Sequence, residues 1–321
     1  MINVLIVCSG NKPDFNFNIH QAFIADQISS VEKINNQIKF HYFFIKGKGI
    51  LGYLGNLKPL KQILKANSID LIHAHYSFSG LLANLQRKVP VIVTYHGSDV
   101  NLRFQSRIST MVQLLSKVNI FVSENLFNKA IFKSSSVVIP CGVDLNIFKP
   151  QKQNLLRKKL NLDDGKYYIL FSSTFNNPIK NFSLLNNALS DLKEKNIQVI
   201  ELENYSREQV SELMNAVNLC VMTSFSEGSP QFIKEAMACN CPIISTDVGD
   251  VKKIIAQTNG CYICKFQSED LAEKINNAIN FSNKFNRTNG REIIIKLGLD
   301  NKIIAERVLE SYKNLLKKTK R

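Results

Sequence analysis

Short apolar runs alternate along this chain with stretches whose apolar residues return at helical spacing. Residues 3–8 are a continuous apolar run, as expected for a strand buried on both faces. A turn at 9–13, a helix around 18–28 and a strand around 39–45 follow. Residues 46–58 are glycine-punctuated, basic and partly apolar, and read as a mobile loop. A helix begins near Pro59 and carries Lys61 and Lys65 on one stripe. Further strands are expected at 70–75, 91–95, 120–123 and 137–140. This alternation predicts a doubly wound parallel sheet.

The pattern then repeats. A polar, basic segment at 151–166 separates the first series from a second. Strands at 167–172, 198–202, 219–222, 243–246 and 261–264 interleave with helices at 182–195, 207–216 and from 269 onward. Residues 300–318 place Ile304, Val308, Tyr312, Leu315 and Leu316 on one helical stripe. The expected architecture is α/β, with two doubly wound Rossmann-like domains at 1–150 and 151–300 and a closing helix at about 301–321.

Composition agrees with that reading. A length of 321 residues suits two domains of about 150. With 45% hydrophobic residues there is material for two cores. The seven cysteines are scattered and odd in number, which points to a reducing compartment. Cys239, Cys241, Cys261 and Cys264 resemble a thiolate zinc set only superficially. Cys261 and Cys264 lie in a strand, where their spacing directs them to opposite faces, so no metal is expected. Residues 2–7 are a strand without a basic start or cleavage site, so no signal peptide is expected. No apolar run has the length of a membrane span. The expected location is cytoplasmic.

Charge adds one point. The 41 basic residues exceed the 26 acidic ones, giving +15. That balance favours an anionic partner. No zinc-finger spacing or aromatic RNA-binding strand accompanies it, so no specific nucleic acid is expected.

The stretch richest in chemistry is 226–249, SEGSPQFIKEAMACNCPIISTDVG. It sets Glu227 and Glu235 eight positions apart. Ser229 suits an N-cap and Pro230 the first helical position, which puts Glu227 in the loop before a helix and Glu235 on its flank. A helix N-terminus seats phosphate, and a flank carboxylate can accept hydrogen bonds from neighbouring sugar hydroxyls. The string S-E-G-x-P-x-x-x-x-E-A-M-A, with Pro242 and Gly249 in step, resembles the donor site of family-four glycosyltransferases, retaining enzymes of the GT-B fold. In that fold two Rossmann-like domains face each other across a cleft, and a closing helix returns to the first.

The resemblance extends to other phrases. Residues 139–150 match the family's I-P-x-G-V-D-x-x-x-F-x-P, with Cys141 where many relatives have Asn. His96-Gly97-Ser98-Asp99 resembles its sugar-facing H-G-x-D loop, which implies that His96 contacts the donor sugar. Residues 171–181 resemble G-R-x(5)-K-G/N. Lys180 falls on the lysine that clamps the donor diphosphate, while Thr174 replaces the arginine and so removes a bidentate phosphate donor. Gly10 is the one glycine where relatives often carry a pair. The resemblance implies His96, Lys180 and Glu227 as catalytic residues. It implies Gly10, Thr174, Lys180, Gly228, Ser229 and Glu235 as donor contacts, with Glu235 on the ribose. His73 and His75 share a strand face and are expected to be structural or to line the acceptor site.

The expected activity is a retaining hexosyl transfer from a nucleotide-diphospho-sugar to a glycan or lipid-linked acceptor, in bacterial surface-polysaccharide synthesis. The donor is expected to be of the UDP rather than the GDP type, and no cofactor is expected. Alternatives on the same fold are a nucleotide-sugar epimerase and a non-catalytic nucleotide-sugar-binding subunit. Lys46, Lys48, Lys58, Lys61 and Lys65 around Ile50, Leu51, Tyr53 and Leu54 suggest peripheral contact with the anionic inner leaflet.

Overall fold

In the computed structural model, which describes residues 1–101, 103–192 and 196–319, the chain forms two compact units. One comprises Met1–Cys141 with Asn301–Arg321, the other Gly142–Asp300.

The first unit is built on six parallel strands: β1 (Ile2–Ser9), β2 (Ile38–Ile45), β3 (Leu71–His75), β4 (Val91–Tyr95), β5 (Val118–Phe121) and β6 (Ser136–Val138). Their spatial order is β2-β1-β3-β4-β5-β6. The uninterrupted apolar runs follow from burial on both faces. Leu5, Val7, Ile72, Ala74 and Val93 pack on one side with Leu82 and Val112 from the helices Ser77–Asn84 and Arg103–Leu115. Val4, Ile6, Ile92 and Ile120 face the other side, against Ile24 and Ile28 of the helix Ala22–Ile34. On that side the helix Asn301–Thr319 contributes Ile304, Val308, Tyr312 and Leu315, the stripe read from the sequence. Burying each such side chain stabilises the fold by roughly 2 kcal/mol.

The second unit has five parallel strands: β7 (Tyr167–Phe171), β8 (Ile197–Glu201), β9 (Leu219–Met222), β10 (Ile243–Thr246) and β11 (Cys261–Cys264). Their order is β11-β10-β9-β7-β8. In each sheet the order in which successive strands are added reverses once, between β1 and β3 and between β7 and β9. Ligands of open α/β sheets bind outside the carboxyl ends of the strands at such a switch point. The chain leaves β1 at Gly10 and β3 at Tyr76. It leaves β7 toward Thr174 and β9 toward Phe225. Each pair of exits flanks its own unit's switch point.

Three local expectations need correction. The division between the units falls at Cys141/Gly142 and not at residue 150. Val143 N donates to Leu299 O at 2.9 Å, and Arg291 holds the carbonyls of Phe148 and Leu145 at 2.7 and 2.9 Å. Phe148 is fully buried in the second unit's core, so 142–150 belong there. Residues 46–58 are not a loop: helices Gly49–Leu54 and Leu57–Ala66 occupy most of them. Asn56 joins the two, its Nδ2 donating to Lys46 O and Gly52 O at 2.7 Å each. The helix expected over 182–195 runs from Phe182 to Ser190, and 193–195 lie outside the described residues.

Candidate active site

The second unit's switch point is formed by two loops tied together by backbone contacts. After β7 the chain makes a single 3-10 turn, Pro178–Lys180, opened by Asn177 Oδ1 accepting from Ile179 N at 3.2 Å. Thr223, just beyond β9, donates its hydroxyl to Lys180 O and Asn181 O at 2.9 Å each. Phe225 N donates to Ile179 O at 2.9 Å. The Lys180 turn is thereby fastened to the chain that leads into Glu227. The two side chains meet: Lys180 Nζ lies 2.6 Å from Glu227 Oε1, with both largely shielded from solvent.

Glu227-Gly228 is shaped from beneath by Gly249. That residue has φ +60°, and a Cβ on it would lie 2.6 Å from Gly228 O. Only glycine permits both the left-handed backbone and the contact. This is a physical reason for the glycine after β10.

The helix after the loop starts later than the sequence indicates. It spans Gln231–Ala238, with Pro230 as N-cap and no side-chain cap. Ser229 does not cap it. Its Oγ donates to Asp250 Oδ2 at 2.6 Å, because a carboxylate is the stronger acceptor within reach. Burial raises the Asp250 pKa above the ordinary carboxylate value, and Lys234 and the Ser229 hydroxyl draw it back.

Glu235 sits on this helix and is 4% exposed. Its Oε1 lies 2.7 Å from Arg207 Nη2, a charge contact rather than an aligned hydrogen bond. The guanidinium also lies over the Phe148 ring at 4.6 Å. Arg207 is the first residue of the helix Arg207–Ala216, whose N-cap Ser206 forms a capping box with Gln209. Sequence reasoning passed over Arg207. The S-x-x-Q signature after β8 was its available signal, since it fixes Arg207 at the helix start. Thr174 stands at the expected strand exit, where its carbonyl accepts from Asn177 N at 3.2 Å.

The other predicted residues lie in the first unit. His96 follows β4 at a turn held by Asp99, whose Oδ1 accepts from His96 N at 3.1 Å and Gly97 N at 2.9 Å. Gly97 has φ +126° and Asp99 is buried, so this acid serves the backbone turn. Burial lifts its pKa to about 6, against the opposing pull of those N–H groups. Gly10 is required by packing: its Cβ would lie 2.8 Å from Phe44 Cβ, and its carbonyl accepts from Lys46 Nζ at 2.7 Å. His73 is buried between Tyr312 Oη and Thr94 Oγ1, each 2.7 Å from a ring nitrogen, which is a structural placement. Tyr76, at the exit of β3, holds φ +71° and rests against His96 at 4.6 Å between ring centroids. An aromatic residue in that region stores roughly 1–3 kcal/mol of strain, and no sequence pattern announces it.

The second unit's cluster is therefore two cations, each against a carboxylate, at the mouth of a parallel sheet. Lys180 and Arg207 can neutralise phosphate charge, and Glu227 and Glu235 can accept from hydroxyls. That is the donor-binding chemistry of a nucleotide-sugar enzyme. The chain matches the profile of Glycosyltransferase Family 4 over residues 2–147 and that of Glycosyl transferases group 1 over residues 183–280. It belongs to the family-four glycosyltransferases and has their two-domain, Rossmann-like GT-B fold.

Among its relatives is an uncharacterized glycosyltransferase of Methanocaldococcus jannaschii, 28% identical over 262 residues, 73% of this chain and 72% of the relative. Another is the N,N'-diacetylbacillosaminyl-diphospho-undecaprenol alpha-1,3-N-acetylgalactosaminyltransferase of Campylobacter jejuni, 26% identical over 82% of each chain. In fold the chain is similar to Anabaena HepE, solved in complex with UDP-glucose. The TM-score is 0.77 at 18% identity, over 98% of this chain and 100% of HepE.

Proposed function

We propose that this glycosyltransferase moves a hexosyl group, with retention, from a UDP-type sugar to a lipid-linked or glycan acceptor in bacterial surface-polysaccharide synthesis. The observation that carries the reading is the double pairing Lys180–Glu227 and Arg207–Glu235. Without ligand, each cation holds a carboxylate ready. With a donor bound, Lys180 turns to the diphosphate and Glu227 to sugar hydroxyls, while Glu235 takes the ribose. Arg207 supplies the guanidinium absent at Thr174. Leaving-group departure builds negative charge on the diphosphate, which fixed cations stabilise.

The C. jejuni relative named for an undecaprenol-linked acceptor and the UDP-glucose complex of HepE support the substrate class. A thermal-shift panel of UDP- and GDP-sugars tests it, since a ligand that binds only the folded state raises its melting point. Stabilisation by a UDP-sugar, followed by transfer to a polyprenyl-diphosphate glycan, is the expected result. No shift with any UDP-sugar overturns it.

The acceptor side is proposed to work at the surface of the cytoplasmic membrane. Lys46, Lys48, Lys58, Lys61 and Lys65 surround the helices Gly49–Leu54 and Leu57–Ala66, and residues 46–69 contain no acid. Leu51 is 85% exposed and Ile50 and Leu54 project beside it. Each basic residue near an anionic surface contributes about 1 kcal/mol. No helix among the described residues is long and apolar enough to cross a membrane, and the attachment proposed is peripheral. Binding to anionic vesicles that falls with salt and with Lys-to-Gln changes at 48, 58 and 61 is expected. Indifference to such vesicles at low salt assigns a soluble acceptor.

A further inference from the structure

The ring of His96 is enclosed on its inner side. Phe23 stands edge-on at 4.8 Å between centroids, and His75 lies nearly parallel at 5.3 Å. His75 Nδ1 is 3.1 Å from His96 Nε2, and His96 Nδ1 is 3.9 Å from Cys141 Sγ. His75 is 1% exposed, stacked on His73 at 4.4 Å, and its Nε2 has no hydrogen-bond partner among the described residues.

One proton must lie between His75 Nδ1 and His96 Nε2. If it belongs to His96, a neutral His75 carries its own proton on Nε2, where an N–H is buried with nothing to accept it. If it belongs to His75, only a lone pair on Nε2 goes unused. Orphaned buried N–H groups are rarer than under-used acceptors. A doubly protonated His75 is disfavoured by burial and by its neighbours His73 and His96. The second arrangement follows: His75 Nδ1–H donates to His96 Nε2, and His96 keeps its proton on Nδ1, toward Cys141.

We propose that His75 is the positioning residue that fixes both the ring orientation and the Nδ1–H tautomer of His96. The inference rests on His96 as the sugar-facing residue and adds to it a restriction. The Nε2 of His96 is occupied within the fold, so it neither abstracts nor delivers a proton during transfer. The residue orders the site by shape and dipole. The thiol of Cys141 supplies the outer partner, 3.9 Å from His96 Nδ1.

The test is a two-bond 1H–15N spectrum of the full chain labelled with 15N-histidine, whose five histidines are assigned by single substitutions. His96 is expected as the Nδ1–H tautomer between pH 7 and 8. His75→Leu should shift it toward Nε2–H. His75→Asn, whose amide can occupy the Nδ1 position, should restore it. A wild-type His96 protonated on Nε2, or on both nitrogens, overturns the proposal even if the leucine variant does not fold. So does an unchanged tautomer in a folded His75→Leu. The spectrum needs no substrate, so its outcome is separate from whether the donor assigned above is correct.

Discussion

Lys180 Nζ and Glu227 Oε1 stand 2.6 Å apart across two loops that β7 and β9 deliver to the same point. Residues expected to act on different parts of the donor, the diphosphate and the sugar, therefore begin as partners of each other. In the proposed function, donor binding exchanges that contact for two new ones.

Removing the cation tests this exchange. Lys180→Ala should lower turnover by about 100-fold, the scale of losing one donor to developing charge. Steady-state transfer with the UDP-sugar chosen by the thermal-shift panel measures it. A rate within a few-fold of wild type would mean that Lys180 does no more than pair with Glu227.

Arg207→Gln leaves Glu235 charged and buried without its partner. The cost expected for breaking such a pair is on the order of 3 kcal/mol, with a parallel loss of UDP affinity. The double variant Arg207→Gln/Glu235→Gln should recover most of the stability and none of the affinity. A strictly additive cycle in urea unfolding contradicts the coupling.

Gly249→Ala forces a Cβ into a left-handed residue and against Gly228 O. A loss of roughly 1–3 kcal/mol is expected, together with weaker UDP binding, because the Glu227 loop must move. Calorimetric titration giving wild-type affinity would show that the loop does not depend on this contact.

Stability should fall in acid through the buried histidines. Burial lowers His73 to about 3, and lowers His75 by burial and its histidine neighbours. The unfolded chain protonates both near 6.5, so their contribution is lost progressively as pH falls below 6.5. Asp99 acts in the opposite sense: raised to about 6, it stabilises the fold at low pH and ceases to do so as pH rises through 6. Between pH 4 and 6 the unfolded chain holds about one more proton on His73 than the folded chain does, or about 1.4 kcal/mol per pH unit. His73→Gln should remove that share of the slope in urea unfolding followed against pH. An identical slope in the variant contradicts the assignment.

Local sequence determined much of this molecule. Both parallel sheets were legible because strands buried on two faces must be apolar throughout, as at residues 3–8 and 91–95. The stripe Ile304, Val308, Tyr312 and Leu315 declared the last helix because a single buried face imposes its own period. Glu227, Glu235 and Lys180 stood out as candidates because each occupies a fixed place in a local phrase. Tertiary structure decided what depends on distant partners. Ser229 turned from an expected cap to Asp250, twenty-one positions away, and Arg207 reached Glu235 from a different helix. Gly249 earned its place from the carbonyl of Gly228. Residues 46–58 became two helices around Asn56 although glycines interrupt their local pattern. Periodicity records which face a residue buries. It carries no record of which remote side chain will meet it there, because that contact exists only once the strand order has been set.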